Sequence, residues 1–257
     1  MENELDLNSI FSENGICRND TVVLHIDAGV ASQYKNISNE NKINHLISEL
    51  KNFFNDSGTL LVPAFSYSFT ENEEYDVMRS VSKVGLFSED FRKSEGVARS
   101  EHPIFSMSIY GKNQEKYLNS NNNDCFGPKT SFDILHHENA KIVCLGCSLD
   151  RATFVHYSEQ ANEVSYRYLK NFSGKVINEM NQQYQITTSY FVRDLGIRSS
   201  TSLKLLIKDA TKKNKIIKGS FGRFPLTVIT CQDFHDIASE LISKNELSLT
   251  EEGNNEI

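Results

Sequence analysis

The chain has 257 residues, 39% of them hydrophobic and 10% aromatic, and a formal net charge of −7. That composition excludes a disordered chain, and the acidic balance disfavours a broad phosphate-binding surface, so nucleic acid is not an expected partner. The longest apolar runs, around Val22–Leu24 and Ile142–Leu145, are far too short to span a bilayer, and the acidic opening MENELDLNSIF lacks the basic stretch of a secretory signal, so a cytoplasmic chain without a membrane partner is expected.

In chain order, Thr21–Ile26 is a buried strand candidate. Ser38–Phe54 reads as a helix, with Ser38 as N-cap and Ile43, Leu46, Ile47 and Leu50 on one face. Asn55-Asp56-Ser57-Gly58 ends it, and Thr59–Val62 is the second strand. Ser88–Lys93 predicts a short helix, Phe105–Tyr110 a strand, Ser131–Glu138 a helix and Lys141–Gly146 a fourth strand, with a helix starting near Asp150–Thr153. This alternation predicts an α/β fold: a central mixed sheet flanked by helices. From residue 164 to about 192 the texture is β-rich. Tyr166–Lys170, Lys175–Asn178 and Tyr184–Val192 read as strands, with Ser173-Gly174 and Asn181-Gln182 as turns, which predicts an antiparallel insertion in the C-terminal half. Leu203–Ala210 is helical, Lys215–Lys218 and Leu226–Ile229 are strands, and Thr230 caps a last helix to Lys244. Gly253-Asn254-Asn255 reads as a loose tail. No linker precedes the β-rich part, so residues 1–257 are expected to form one domain.

Five scattered cysteines do not make a disulfide framework. Cys144 and Cys147 have C-x-x-C spacing, but a zinc site wants two more ligands at similar spacing and none is present, so no metal is expected. The pair reads as small hydrophobes in a buried strand. The remaining histidines read as structural: His102, before Pro103, as a hydrogen-bonding residue, His25 as a strand-end residue, and His45, His136, His137 and His235 as helix surface or boundary residues.

The chemistry concentrates in Leu145–Gln160, LGCSLDRATFVHYSEQ. A strand ends at Gly146, a polar loop with N-cap candidates Asp150 and Thr153 follows, and a helix then carries His156 and Glu159. Spacing of i, i+3 puts both side chains on one face, where a carboxylate can orient an imidazole and leave its other nitrogen free to take a proton. Strand ends are also where α/β folds place ligands. On spacing alone a surface contact is the commoner outcome for such a pair.

Several short segments, in order, resemble the aminoglycoside 3-N-acetyltransferase family. Asp20–Gly29 is similar to the family's first strand and cofactor loop, and Gly58–Tyr67 to its second strand and F-[ST]-Y turn. Val84–Phe91 precedes Arg99-Ser100-Glu101-His102-Pro103, which fits R-S-x-H-P. Phe126-Gly127 and Ser131-Phe132 fit a loop motif, and Leu145–Glu159 fits G-x-x-x-D-x-x-T-x-x-H-x-x-E without gaps. The resemblance implies an acetyl-CoA-dependent N-acyltransferase with His156 as general base and Glu159 as its partner. It implies that acetyl-CoA lies near His25, Asp27, Ala28, Gly29 and Val30, with Ser100 and Thr153 close by. Tyr67 at the end of its turn, Asp150, which matches the family, and Arg151, which departs from it, are expected to face the acceptor. The partners are then an acyl-CoA and a small-molecule amine, with a homodimer left open.

Direct transfer suffices, since no Ser or Cys beside His156 reads as an activated nucleophile. The oxyanion is expected on helix-start N–H groups after Gly146. The cations Arg151, Arg167 and Lys170 near the catalytic segment favour an amino sugar, free or nucleotide-linked, over a polycationic aminoglycoside. An aminoglycoside 3-N-acetyltransferase and a non-catalytic binding protein of the same fold are the alternatives.

Overall fold

The computed structural model describes residues 5–55 and 57–255. Helix α1 (Leu7–Glu13) precedes strand β1 (Thr21–Ile26), helix α2 (Lys42–Phe54) and strand β2 (Thr59–Pro63). Two two-residue strands, β3 (Tyr75–Asp76) and β4 (Ala98–Arg99), flank helix α3 (Leu86–Arg92). Strand β5 (Met107–Gly111), helices α4 (Gln114–Leu118) and α5 (Ser131–His137), strand β6 (Lys141–Leu145) and helix α6 (Val155–Ala161) complete the first half. The second half runs through a long hairpin, β7 (Arg167–Ile177) and β8 (Gln183–Arg193), then α7 (Lys204–Lys212), β9 (Ile217–Phe221), β10 (Phe224–Thr230), α8 (Cys231–Lys244) and α9 (Glu251–Asn255).

The main sheet has seven strands in the order β4-β5-β2-β1-β6-β10-β9. Its centre, β2-β1-β6, is parallel, and both flanks are antiparallel. Residues alternate between two cores, as the period-2 geometry of a strand demands. Val23, Leu61, Ile142 and Cys144 face one core, while Val22, Leu24, Leu60, Val62, Val143 and Leu145 face the other. Helices cover both faces: Phe234, Ile237 and Ala238 of α8 on the first side, Leu46, Leu50 and Phe53 of α2 on the second. This is the mixed sheet between helices that the alternation of elements predicts. The β-rich stretch is an eleven-register antiparallel hairpin, and β3 adds to β7 in parallel to make a second, three-stranded sheet.

Four local expectations fail, each for a physical reason. Ser173-Gly174 is not a turn, because β7 runs straight through it. A Cβ on Gly174 would meet the Phe69 ring at 2.7 Å, so the glycine permits close packing and not a reversal. The turn is Asn178–Gln182, where the Asn178 side chain accepts from the N–H groups of Met180 and Gln182. Helix α2 begins at Lys42 after a turn; the Ser38 hydroxyl accepts from the Asn41 side chain and caps no helix. The chain after β6 first makes a 3-10 turn, Leu149–Arg151, breaks at Ala152 and starts α6 at Val155, so neither Asp150 nor Thr153 caps it. The expected tail at 253–255 is part of α9, held by the Asn254 side chain, which bonds Leu205 N, Ser202 O and Ser248 O. Asp56 and the terminal residues 1–4, 256 and 257 lie outside the described residues. Thr230 caps α8 as predicted, accepting from Asp233 N at 3.1 Å.

Candidate active site

The parallel centre of the sheet sends three strands to one end, and a cavity of 620 Å³ opens there. His25 lines it at the end of β1, Asp27 and Ala28 after β1, Tyr67 after β2, and Cys147, Arg151 and Thr153 after β6. Lys83 to Leu86, leading into α3, close its other wall. Those four residues lie far from the His156 segment in sequence, and nothing local marked them as cavity residues. Gly146 makes the turn out of β6 possible. Its φ is +75°, and a Cβ there would stand 2.6 Å from Val30 Cγ2. Tyr67 also holds a left-handed conformation, at φ +57°, on the cavity wall.

Helix α6 has only seven residues, too few to stand unaided. It is packed onto α8 through Phe154 and Phe234, whose ring centroids lie 5.6 Å apart. Thr153 faces the cavity, and His156 follows one turn later with 18% of its side chain exposed. The Nδ1 of His156 is 2.6 Å from Glu159 Oε2. Glu159 itself is fully buried. Tyr166 donates its hydroxyl to Oε1 at 2.9 Å, and Arg167 Nε lies 2.8 Å from Oε2. The Arg167 N–H is not aligned on that oxygen, so the contact is an ion pair and not a hydrogen bond. Burial by itself would raise the Glu159 pKa, but attraction to His156, their hydrogen bond, Arg167 and Tyr166 outweigh it and hold the carboxyl below its ordinary range. With Nδ1 on the carboxylate, Nε2 is the imidazole atom left for a proton. The Phe126 ring borders the imidazole at 5.5 Å and continues into an aromatic wall of Phe105, Tyr190 and Tyr67.

The other predicted residues divide. Asp27 and Ala28 line the cavity, but Val30 is buried, and the Gly29 N–H already donates to the Asp27 carboxylate at 2.7 Å. Ser100 is fully buried, its hydroxyl accepting from Met107 N. Asp150 accepts from Ser148 Oγ and Leu203 N and is absent from the cavity wall. The N–H groups of Val155, His156 and Tyr157 donate to Ala152, Thr153 and Phe154 carbonyls, so those helix-start donors are engaged. Arg167, one of the three cations that favour an amino-sugar acceptor in the sequence, is 4% exposed and paired with Glu159. Lys170 lies over the Phe172 ring at 5.1 Å. His102 is structural: Nδ1 accepts from Ile104 N and Phe105 N, Nε2 faces Asp124 O at 3.1 Å, and burial pushes its pKa down to about 4. The half-buried His25 is likewise pushed down to about 4 by burial. His136 and His235 are not ordinary surface residues; their rings lie 4.6 Å apart and they bond Tyr157 and Ser158 on the back of α6. Among the described residues no group of three or more His, Cys, Asp or Glu could hold a metal, and no helix is long and apolar enough to cross a membrane.

Fold and site together define a class: an α/β protein with a cavity at the ends of its parallel strands and, three residues after Thr153 of its wall, an imidazole held by a buried carboxylate. The model of the aminoglycoside 3-N-acetyltransferase family matches residues 30–243, and the chain belongs to that family. It is therefore an acetyl-CoA-dependent N-acyltransferase. Among solved structures, the apoenzyme of aminoglycoside acetyltransferase AAC(3)-IVa superposes with a TM-score of 0.75 at 18% identity, over 97% of this chain and 92% of that one. AAC-IIIb in binary complex with CoASH gives 0.76 at 17% identity, over 93% and 95%. The YokD protein of Bacillus subtilis gives 0.75 at 17% identity, over 93% and 92%. At these identities the likeness establishes the fold. Comparison with curated protein sequences finds no significant match.

Proposed function

We propose that the chain acetylates an amine of an amino sugar by direct transfer from acetyl-CoA, with His156 as general base. The observation that carries this reading is the 2.6 Å contact between His156 Nδ1 and the buried Glu159 carboxylate, one helical turn from the cavity residue Thr153. An alkylamine is mostly protonated near neutral pH, so a base must take its proton before or during attack. Once the ammonium has lost its first proton to solvent, the neutral amine nitrogen bonds the thioester carbonyl carbon while His156 Nε2 accepts the second proton. The C–S bond then breaks, and the departing thiolate takes the proton from the imidazolium. The Thr153 hydroxyl, in the cavity wall, is the polar group assigned to the thioester oxygen.

The binary CoASH complex of a neighbour supports CoA as the occupant of the strand-end cavity. Arg151 on its wall supplies charge for a phosphate, whereas Lys83 is already paired with Glu71. Asp27 faces the same space and disfavours a phosphate at its own position. Of the three cations that argue for an anionic acceptor, Arg151 alone lines the cavity. Tyr67 in the cavity wall supports a ring-bearing amine, because sugar C–H faces pack on aromatic faces. A second reading, a polycationic aminoglycoside as acceptor, is favoured by a neighbour bound to sisomicin.

Incubating the protein with acetyl-CoA and a panel of amines, with acetylated product read by mass, tests both readings. Preference for an amino sugar, free or nucleotide-linked, over gentamicin-type amines in kcat/KM supports the first. A tenfold preference for the antibiotic, about 1.4 kcal/mol, sinks it. Absence of product and of CoA binding heat would leave a non-catalytic protein.

A further inference from the structure

The C-x-x-C pair does not behave as two buried hydrophobes. Cys144 is fully buried in β6, with Cα partners His25 and Thr227 in the neighbouring strands. Cys147 lies past the Gly146 turn, half-buried, in the wall of the 620 Å³ cavity. Its thiol donates to His25 O at 3.4 Å, and the Cys144 thiol lies next to it. Of the other cysteines, Cys125 and Cys231 are buried and Cys17 is exposed on the surface, so Cys147 alone combines partial shelter with access to a cavity.

We propose that Cys147 is a thiol–disulfide exchange site, at which a small-molecule disulfide entering the cavity leaves half of itself as a mixed disulfide that plugs the site. The Cys147 thiolate attacks one sulfur of the incoming disulfide. A bond forms between Cys147 Sγ and that sulfur, the original S–S bond breaks, and the second half leaves as a thiolate that takes up a proton. Cys147 is oxidised and the leaving half is reduced, so the step balances with the disulfide as the oxidant.

The environment favours this direction. The hydrogen bond from Cys144 lowers the Cys147 pKa, with Arg151 adding to it, while burial and Asp27 oppose. The Cys144 thiol is held protonated by its bond to Cys147 and by burial. A second exchange, in which Cys144 would expel the adduct and close a Cys144–Cys147 disulfide, needs the thiolate that this burial suppresses, so the mixed disulfide persists. The inference rests on the cavity and not on what normally fills it.

The test is to treat the reduced protein with bis(2-hydroxyethyl) disulfide, an uncharged probe, and to map adducts by intact and peptide mass against time. Cys147 is expected to be labelled at least tenfold faster than Cys17, with one adduct per chain and full reversal by dithiothreitol. Cys17→Ser keeps the adduct and Cys147→Ser loses it. Acetyl transfer, read as acetylated product, is expected to fall at least tenfold at full labelling. Labelling of Cys17 alone, equal rates at both sites, an internal disulfide as the only product, or full activity in the fully labelled protein would each overturn the inference. Labelling needs no turnover, so an inactive protein that labels at Cys147 argues against the transfer reading alone. An active protein that does not label argues against this inference alone.

Discussion

Arg167 Nε lies 2.8 Å from Glu159 Oε2, the same carboxylate oxygen that His156 Nδ1 contacts. The buried carboxylate therefore answers to two cationic groups when the imidazole is protonated, and to one when it is not. A guanidinium in that position offsets the Glu159 charge inside the fold. It also means that neither member of the Glu159–Arg167 pair can be removed without leaving the other charged and buried.

His156→Ala is expected to keep the fold, since the side chain is partly exposed, and to lower kcat by about 10²–10⁴-fold, the usual worth of a positioned general base. Turnover like that of the native protein at an unchanged melting temperature would remove His156 from the mechanism.

Substitutions around Glu159 should move the pH profile in opposite directions. A base works deprotonated, so activity rises with pH along its acid limb. Glu159→Gln removes the anion and leaves Arg167 nearby, making imidazolium harder to form; the acid limb of kcat/KM shifts to lower pH. Arg167→Met leaves Glu159 to the imidazole alone, and the limb shifts to higher pH. Parallel shifts, or none, would contradict the shared carboxylate.

Stability should report the same pair. Glu159→Gln strands a guanidinium that is 4% exposed and is expected to cost about 3–5 kcal/mol. The double variant Glu159→Gln, Arg167→Met should recover part of that loss. Strict additivity in urea denaturation would show that the two side chains do not interact.

Gly146→Ala tests the turn between β6 and the cavity. The positive φ and the 2.6 Å approach to Val30 predict a loss of about 2–4 kcal/mol. A change under about 0.5 kcal/mol, the scatter of neutral surface substitutions, would refute the argument.

Glu89 should carry an acid-sensitive share of stability. Burial would raise its pKa, but Arg92, Lys93 and Ser82 N–H outweigh burial and bring it from 4.5 to about 2. Its folded pKa is depressed, so the contribution is present above 4.5 and is lost as pH falls toward 2. Glu89→Gln is expected to lower stability by at most ~3 kcal/mol at neutral pH, with the gap to the native protein closing below about pH 4.5. A gap that stays constant down to pH 3 would disprove the linkage. Glu89 holds the Ser82 N–H while Arg92 holds Met78 O, so the same variant should loosen the stretch leading to the cavity wall at Lys83.

The sequence by itself determined most of the elements and the His156–Glu159 contact. Strand and helix are written in local periodicity, so Thr21–Ile26, Thr59–Val62 and the Thr230-capped helix fall where patterning puts them. His156 and Glu159 are three residues apart on one helix, so their contact follows from helical pitch. Tertiary structure decided what surrounds them. Arg167 reads in sequence as a cation free for substrate; only the start of the hairpin after α6 turns it onto Glu159. Gly174 reads as a turn until Phe69 is placed against it. Ser100 and Asp150 match family positions, yet long-range bonds to Met107 and Leu203 engage them. The cavity wall from Lys83 to Leu86 meets Cys147 and Thr153 only after the sheet has closed. The physical reason is common to all four: local pattern encodes which face a residue presents, whereas the partner on that face comes from a distant segment whose approach only packing fixes.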